Sequence, residues 1–167
     1  MPPLYKIGAA SGSRPFSSPP CRAGHPKAIL REGRVLVVDD DPEVRRSVRL
    51  ILTKAGYDVI EAEDGEAGIA TVKSGDNPLT VHAIICDLNM PKMSGMEAIP
   101  HFRSQFPSCP VIVMTGGGTV EKVTALFRQG VVEFLVKPFD QARLLGAVKK
   151  AVNESKSRDT VPTGSEG

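Results

Sequence analysis

Four short runs constrain this chain more than any other feature: VLVV at 35–38, VHAIIC at 81–86, VIVM at 111–114 and VVEFLV at 131–136. Each is largely apolar and rich in β-branched residues, without the polar alternation of a strand that faces water. Such runs suit strands covered on both faces, as in a parallel sheet. The stretch YDVIEA at 57–62 alternates more, with Tyr57, Val59 and Glu61 on one side, as an edge strand does.

Helix-length segments separate the runs. Asp41 is placed to cap the first, with Pro42 in its first turn and Gly56 just past its end. Val44, Val48, Ile51, Leu52 and Ala55 form its buried stripe. Thr119 opens another helix, which carries Val123, Leu126 and Phe127 and closes at Gly130. Asp140 caps a last one bearing Leu144, Leu145, Val148 and Val152. The segments at 65–73 and 95–105 are weaker, because Gly68 and Pro100 are poor interior helix residues, and Pro100 is expected to shorten or kink its helix. Five strands alternating with five helices predict an α/β doubly wound fold, a parallel sheet with helices on both faces. Right-handed crossovers bring the C-terminal ends of all the strands to one edge, where such sheets bind their ligands.

The residues at that edge carry chemistry. The first strand ends in Asp39 and Asp40, the third in Asp87, the fourth in Thr115 and the fifth in Lys137. Two carboxylates about 4 Å apart repel by roughly 1 kcal/mol in water and about 4 kcal/mol at an effective dielectric near 20. Acids converging on a half-buried spot therefore need a positive partner. Three carboxylates offer hard oxygen ligands to a divalent cation, above all Mg²⁺. Lys137 adds a permanent ammonium. A metal, a lysine and a hydroxyl around a carboxylate are what phosphoryl transfer to that carboxylate requires.

Composition bounds the function classes. The formal charge of +2 hides an asymmetry, since the first 34 residues carry six basic side chains against Glu32 alone. Residues 1–33, full of Pro, Gly and Ser, are expected to be a disordered basic leader, 34–153 one folded domain and 154–167 a flexible tail. The basic excess sits in the leader and not on a folded face, so no direct nucleic-acid binding is expected. No apolar run approaches the ~20 residues of a membrane span, and the N-terminus lacks a secretory apolar core. Cys21, Cys86 and Cys109 form no CxxC pair, which fits a reduced cytoplasm, and His25, His82 and His101 make no zinc signature.

The segments VLVVDDDPEVRRSV, IICDLNMPKMSGME, VIVMTG and FLVKPF resemble, in order and spacing, the signatures of the response-regulator receiver domain of two-component signalling. The resemblance covers residues 34–153 and implies a flavodoxin-like (βα)5 sheet of order 2-1-3-4-5. By position it makes Asp87 the phosphoacceptor, taking its phosphoryl group from a sensor histidine kinase or a histidine phosphotransfer protein. Asp39, Asp40, Asp87 and the backbone carbonyl of Asn89 become the Mg²⁺ ligands, with Asp39 often acting through water. Thr115 resembles the switch hydroxyl, Phe134 the switch aromatic and Lys137 the phosphate-binding lysine, and the Lys137–Pro138 bond is expected to be cis. The implied output is a changed surface on the fourth helix, fifth strand and fifth helix, read by a downstream protein or by a second copy in a phosphorylation-dependent homodimer. A stand-alone cytoplasmic phosphoacceptor is implied, with at most slow autodephosphorylation, and not an enzyme.

Two features depart from the family pattern. Ser94 stands where the family often has Asp, and three glycines, 116–118, follow Thr115 and predict a mobile loop before the fourth helix. Two other readings compete. A dehalogenase-type phosphatase would also use an aspartate after a strand, but Glu43 replaces the Thr or Val of its motif. A pseudo-receiver, a protein-binding module that has lost phosphorylation, would not need the acidic pair, Asp87, Thr115 and Lys137 together.

Overall fold

The computed structural model describes residues 31–159. Most of the expected leader, and residues 160–167 of the expected tail, lie outside the described residues. Five parallel strands form one sheet: β1 (Arg34–Val38), β2 (Asp58–Ala62), β3 (Val81–Asp87), β4 (Val111–Thr115) and β5 (Val131–Val136). Their order is β2-β1-β3-β4-β5, which is the doubly wound arrangement expected. The helices are α1 (Pro42–Lys54), α2 (Gly65–Lys73), α3 (Gly95–Gln105), α4 (Val120–Arg128) and α5 (Gln141–Asp159). A single helical turn at Asn77–Thr80, not foreseen from the sequence, precedes β3.

The sheet divides the apolar interior into two layers. Val35, Val37, Ala83, Ile85, Ile112, Met114 and Leu135 face α1 and α5, meeting Val48, Leu52, Leu144 and Val148. Leu36, Val38, Ile84, Cys86, Val111 and Val113 face the other way, toward Val72 of α2, Ile99 and Phe102 of α3 and Leu126 of α4. Residues 35–38 are all fully buried, which is why that run could be apolar without alternation. A fully buried Leu or Val is worth about 1.5–3 kcal/mol, so each central strand alone anchors several kcal/mol of burial.

The helix starts follow the capping logic of the sequence. Asp41 accepts from the Glu43 N–H at 2.9 Å, Thr119 from Lys122 at 3.3 Å and Asp140 from Arg143 at 2.7 Å. Ser94 occupies the N-cap position of α3, where its backbone N–H donates to the Glu97 carboxylate at 2.9 Å. Pro100 does not shorten α3; it lies exposed and the helix runs through it to Gln105. The last helix passes the expected boundary at 153 and reaches Asp159, because Ser155 is buried, Lys156 donates to the Glu32 carbonyl and Arg158 donates to Pro107 O at 3.3 Å. At the other end, Glu32 N–H bonds to Gly56 O and Asp58 N–H to Gly33 O, so residues 32 and 33 belong to the folded body instead of the leader. Arg34 ties this pole together, donating to Asp58 at 2.8 Å, Asn77 at 3.0 Å and Thr80 at 2.9 Å.

Candidate functional site

The sheet ladder continues one step past the ends of β1, β3 and β5, and those extra bonds fix the backbone of the site. Asp39 N–H donates to Ala62 O at 3.2 Å, Leu88 N–H to Met114 O at 3.1 Å and Lys137 N–H to Thr115 O at 2.7 Å. Asp39 and Asp40 at the end of β1, Asp87 at the end of β3, Thr115 at the end of β4 and Lys137 after β5 therefore share one rim.

The carboxylates of Asp39, Asp40 and Asp87 each offer an oxygen, and these oxygens lie within 4.8 Å of one another. Asp39 is fully buried and Asp87 nearly so, whereas Asp40 is exposed. The Lys137 ammonium stands 2.8 Å from Asp39 Oδ2 and 3.5 Å from Asp87 Oδ2. Asp39 thus binds Lys137 directly, in addition to the part in metal binding expected for it. Its other oxygen accepts the Asp41 N–H at 2.9 Å. The Asn89 N–H donates to Asp87 Oδ1 at 3.3 Å, and the Asn89 carbonyl accepts no hydrogen bond among the described residues.

Charge sets the proton affinities. Burial pushes the Asp87 carboxyl above its ordinary value and the Asp39 charge adds to that, outweighing Lys137 and the Asn89 N–H. Burial works to lower the Lys137 ammonium, but its hydrogen bond to Asp39 and the charges of Asp39 and Asp87 raise it overall. One ammonium is not enough for three acids. An all-oxygen donor set with a deficit of positive charge fits a hard divalent cation such as Mg²⁺.

Thr115 is fully buried, and its hydroxyl is engaged by its own loop: it donates to Gly117 O at 2.7 Å and accepts from Gly117 N–H at 3.2 Å. Phe134 is half-buried against the α2–α3–α4 layer. The Lys137–Pro138 peptide bond is cis.

Two residues at the rim were missed in the sequence. Arg45, one turn into α1, donates to the backbone carbonyl of Asp39 and approaches Glu61 at 3.9 Å, clamping the acidic loop between helix and β2. Its signal was an arginine four residues after the helix cap. Gly95 begins α3 so close to β3 that a Cβ there would overlap the Asp87 carbonyl oxygen. Only a residue without a side chain lets the helix approach the strand that carries Asp87.

Comparison with known proteins agrees with this arrangement. Residues 35–149 match the family model of the response regulator receiver domain. The transcriptional regulatory protein GlrR of Escherichia coli K12 is 35% identical over 125 residues, covering 75% of this chain and 27% of that protein. The response regulator MprA of Mycobacterium avium is 34% identical over 126 residues, covering 75% of this chain and 54% of its own. The chain therefore spans about a quarter of GlrR and about half of MprA. Among solved structures, the chemotaxis protein CheY4 of Vibrio cholerae superposes with a TM-score of 0.65 at 33% identity, covering 71% of this chain and 98% of that one. A chain of the CheX–CheY–BeF3–Mg complex from Borrelia burgdorferi superposes at 0.67 with 28% identity, covering 71% of this chain and 87% of that one. Strand order, acidic rim and family model converge, and this chain belongs to the response regulator receiver domains, the signalling modules of two-component systems.

Proposed function

We propose that the rim is a phosphorylation site and that Asp87 is its acceptor. The observation that carries the reading is the meeting of three carboxylates within 4.8 Å with a lysine ammonium beside two of them. Asp87 Oδ attacks the phosphorus of a phosphohistidine on a sensor kinase or phosphotransfer protein. The O–P bond of an acyl phosphate forms as the N–P bond breaks, and the freed imidazole takes its proton from solvent. Lys137 stands where it offsets charge on the phosphoryl oxygens, and Asp39 holds that ammonium in place. A Mg²⁺ held by Asp39, Asp40, Asp87 and the Asn89 carbonyl supplies the remaining positive charge. The structural relative from Borrelia burgdorferi, whose complex contains magnesium, BeF3 and CheX, supports both the metal and a protein partner.

Thr115 then leaves Gly117 to donate to the new phosphoryl oxygen, and Phe134 repacks behind it, so the α4–β5–α5 surface has two arrangements. Val120, Phe127 and Val136 leave large apolar side chains exposed on α4 and β5, as a protein-binding face would. Its reader is a downstream protein or a second phosphorylated copy. The reading is a cytoplasmic phosphoacceptor, not a turnover enzyme. It applies equally to a stand-alone receiver and to the same unit within a longer regulator, since relatives of both lengths occur. Incubation with acetyl phosphate and Mg²⁺ tests it. Wild type should gain one phosphoryl mass, lost on adding EDTA before the donor, and Asp87→Ala should gain none. An unmodified wild type would instead favour the pseudo-receiver.

A further inference from the structure

The three glycines of the β4–α4 loop are not demanded by their backbone. Among the described residues the glycines with positive φ are Gly33, Gly56, Gly75 and Gly130, and none of residues 116–118 is among them. Nor does packing demand glycine at 116 or 117, where an added Cβ would meet nothing within 4 Å. Gly118 differs. A Cβ there would stand 3.3 Å from Cζ of Phe134, 3.7 Å from a methyl of Val123 and 3.9 Å from the Thr115 methyl. Optimal carbon–carbon separation is about 3.5–4.0 Å, so the tip of the Phe134 ring rests where it would crowd a side chain at 118. The same loop grips the Thr115 hydroxyl at both ends through Gly117. Two consecutive residues, Gly117 and Gly118, therefore hold the hydroxyl and seat the ring.

We propose that Gly118 is a positioning residue for Phe134: its missing side chain leaves the seat that the ring tip occupies, and so stabilises the arrangement in which Thr115 stays bound to Gly117. This rests on Asp87 being a phosphoacceptor, and it adds the residue that biases the equilibrium. A methyl group at 118 must push the ring tip or be pushed by it, and either displacement weakens the arrangement seen here relative to its alternative.

The test is Gly118→Ala, made in the wild-type and in the Phe134→Leu background, with Gly116→Ala as a control where open space surrounds the new methyl. Ring-¹³C-labelled phenylalanine reports the position of Phe134 without any phosphorylation, its signal assigned by its loss in Phe134→Leu. Mass spectrometry follows the rate of Asp87 modification by acetyl phosphate and Mg²⁺. Gly118→Ala should shift the Phe134 ring signal and raise the rate about three- to tenfold, while Gly116→Ala does neither. With Leu at 134, which lacks the ring tip, the effect of Gly118→Ala on the rate should fall below about twofold. An unmoved ring signal, a slower or unchanged rate, or an equal effect in both backgrounds overturns the proposal. If Gly118→Ala alone melts too low to assay, recovery of the fold in the double variant supports the contact, and no recovery overturns it. A wild type that takes up no phosphoryl group defeats the phosphoacceptor reading instead, and the ring signal still judges the seat.

Discussion

Replacing Lys137 with methionine keeps most of the side-chain stem and removes its charge. The ammonium lies 2.8 Å from Asp39 Oδ2 and 3.5 Å from Asp87 Oδ2, and the Asp39 side chain is wholly buried. Removing one partner of a buried pair costs about 3–5 kcal/mol, because the remaining charge is left without compensation. The Lys137 side chain is 24% exposed and Asp87, already raised, can take up a proton, which places the loss near the lower end, about 3 kcal/mol at pH 7. For a folded body of this size each kcal/mol moves Tm by about 3–5 °C, so the variant should melt roughly 10 °C lower in magnesium-free buffer.

The pH dependence carries the sign. Asp87 is raised above its ordinary 3.8, so the native state holds that proton more tightly than the unfolded chain does. Stability therefore falls as pH rises from about 3.8 through the folded value, and stays lower above it. Without Lys137 the Asp87 carboxyl rises further, so the variant's deficit should shrink at pH 4 and be complete at pH 7. Lys137 is itself raised above 10.5, so its contribution is whole below that pH and is lost as pH climbs through the folded value. Calorimetric melts at pH 4 and pH 7 in EDTA measure this, and Mg²⁺ at pH 7 should restore part of the lost stability. A variant that melts within about 2 °C of wild type at pH 7, or is equally weakened at both pH values, would refute the charge argument.

Three more outcomes follow from the rim. Asp40→Asn removes the exposed member of the triad and should weaken Mg²⁺ binding at least tenfold by isothermal titration, with the metal-free Tm unchanged or slightly higher, since one like charge is gone. Gly95→Ala puts a Cβ against Asp87 O and should cost about 2–3 kcal/mol in denaturant unfolding, whereas Gly75→Leu, a strained but open site with φ 55°, should cost less. Backbone ¹⁵N relaxation should show residues 116–118 more mobile than β4, and order parameters equal to those of the strand would remove the loop-freedom argument.

Much of this was legible because burial on both faces leaves an unmistakable composition. The runs around Val37, Ile84, Ile112 and Leu135 were apolar for a reason that does not depend on partners, and their order with the intervening helices implied the rim. The caps Asp41, Thr119 and Asp140 were also readable, being local chemistry. What escaped was set by distant contacts. The end of α5 carries no apolar stripe after Val152, so its last turns depend on Lys156 and Arg158 reaching other segments. The turn at Asn77–Thr80 has no side-chain cap of its own and is held by Arg34, more than forty residues away in sequence. Within the DDD triplet, sequence alone did not tell which carboxylate turns inward. Burial of Asp39 against Lys137 and exposure of Asp40 depend on how β1 ends beside β3 and on Lys137 reaching across the rim from the end of β5.

The sheet between the two apolar layers has a consequence for how such a chain can change. A substitution in the layer under α1 and α5 is screened by the strand backbones from the layer under α2, α3 and α4, because side chains of the two sets point in opposite directions. Each exterior can therefore drift toward a new companion with its own compensating changes, while the plate between them keeps the reactive edge in register. The architecture is modular in cross-section: one acidic edge, two independently renegotiable coats.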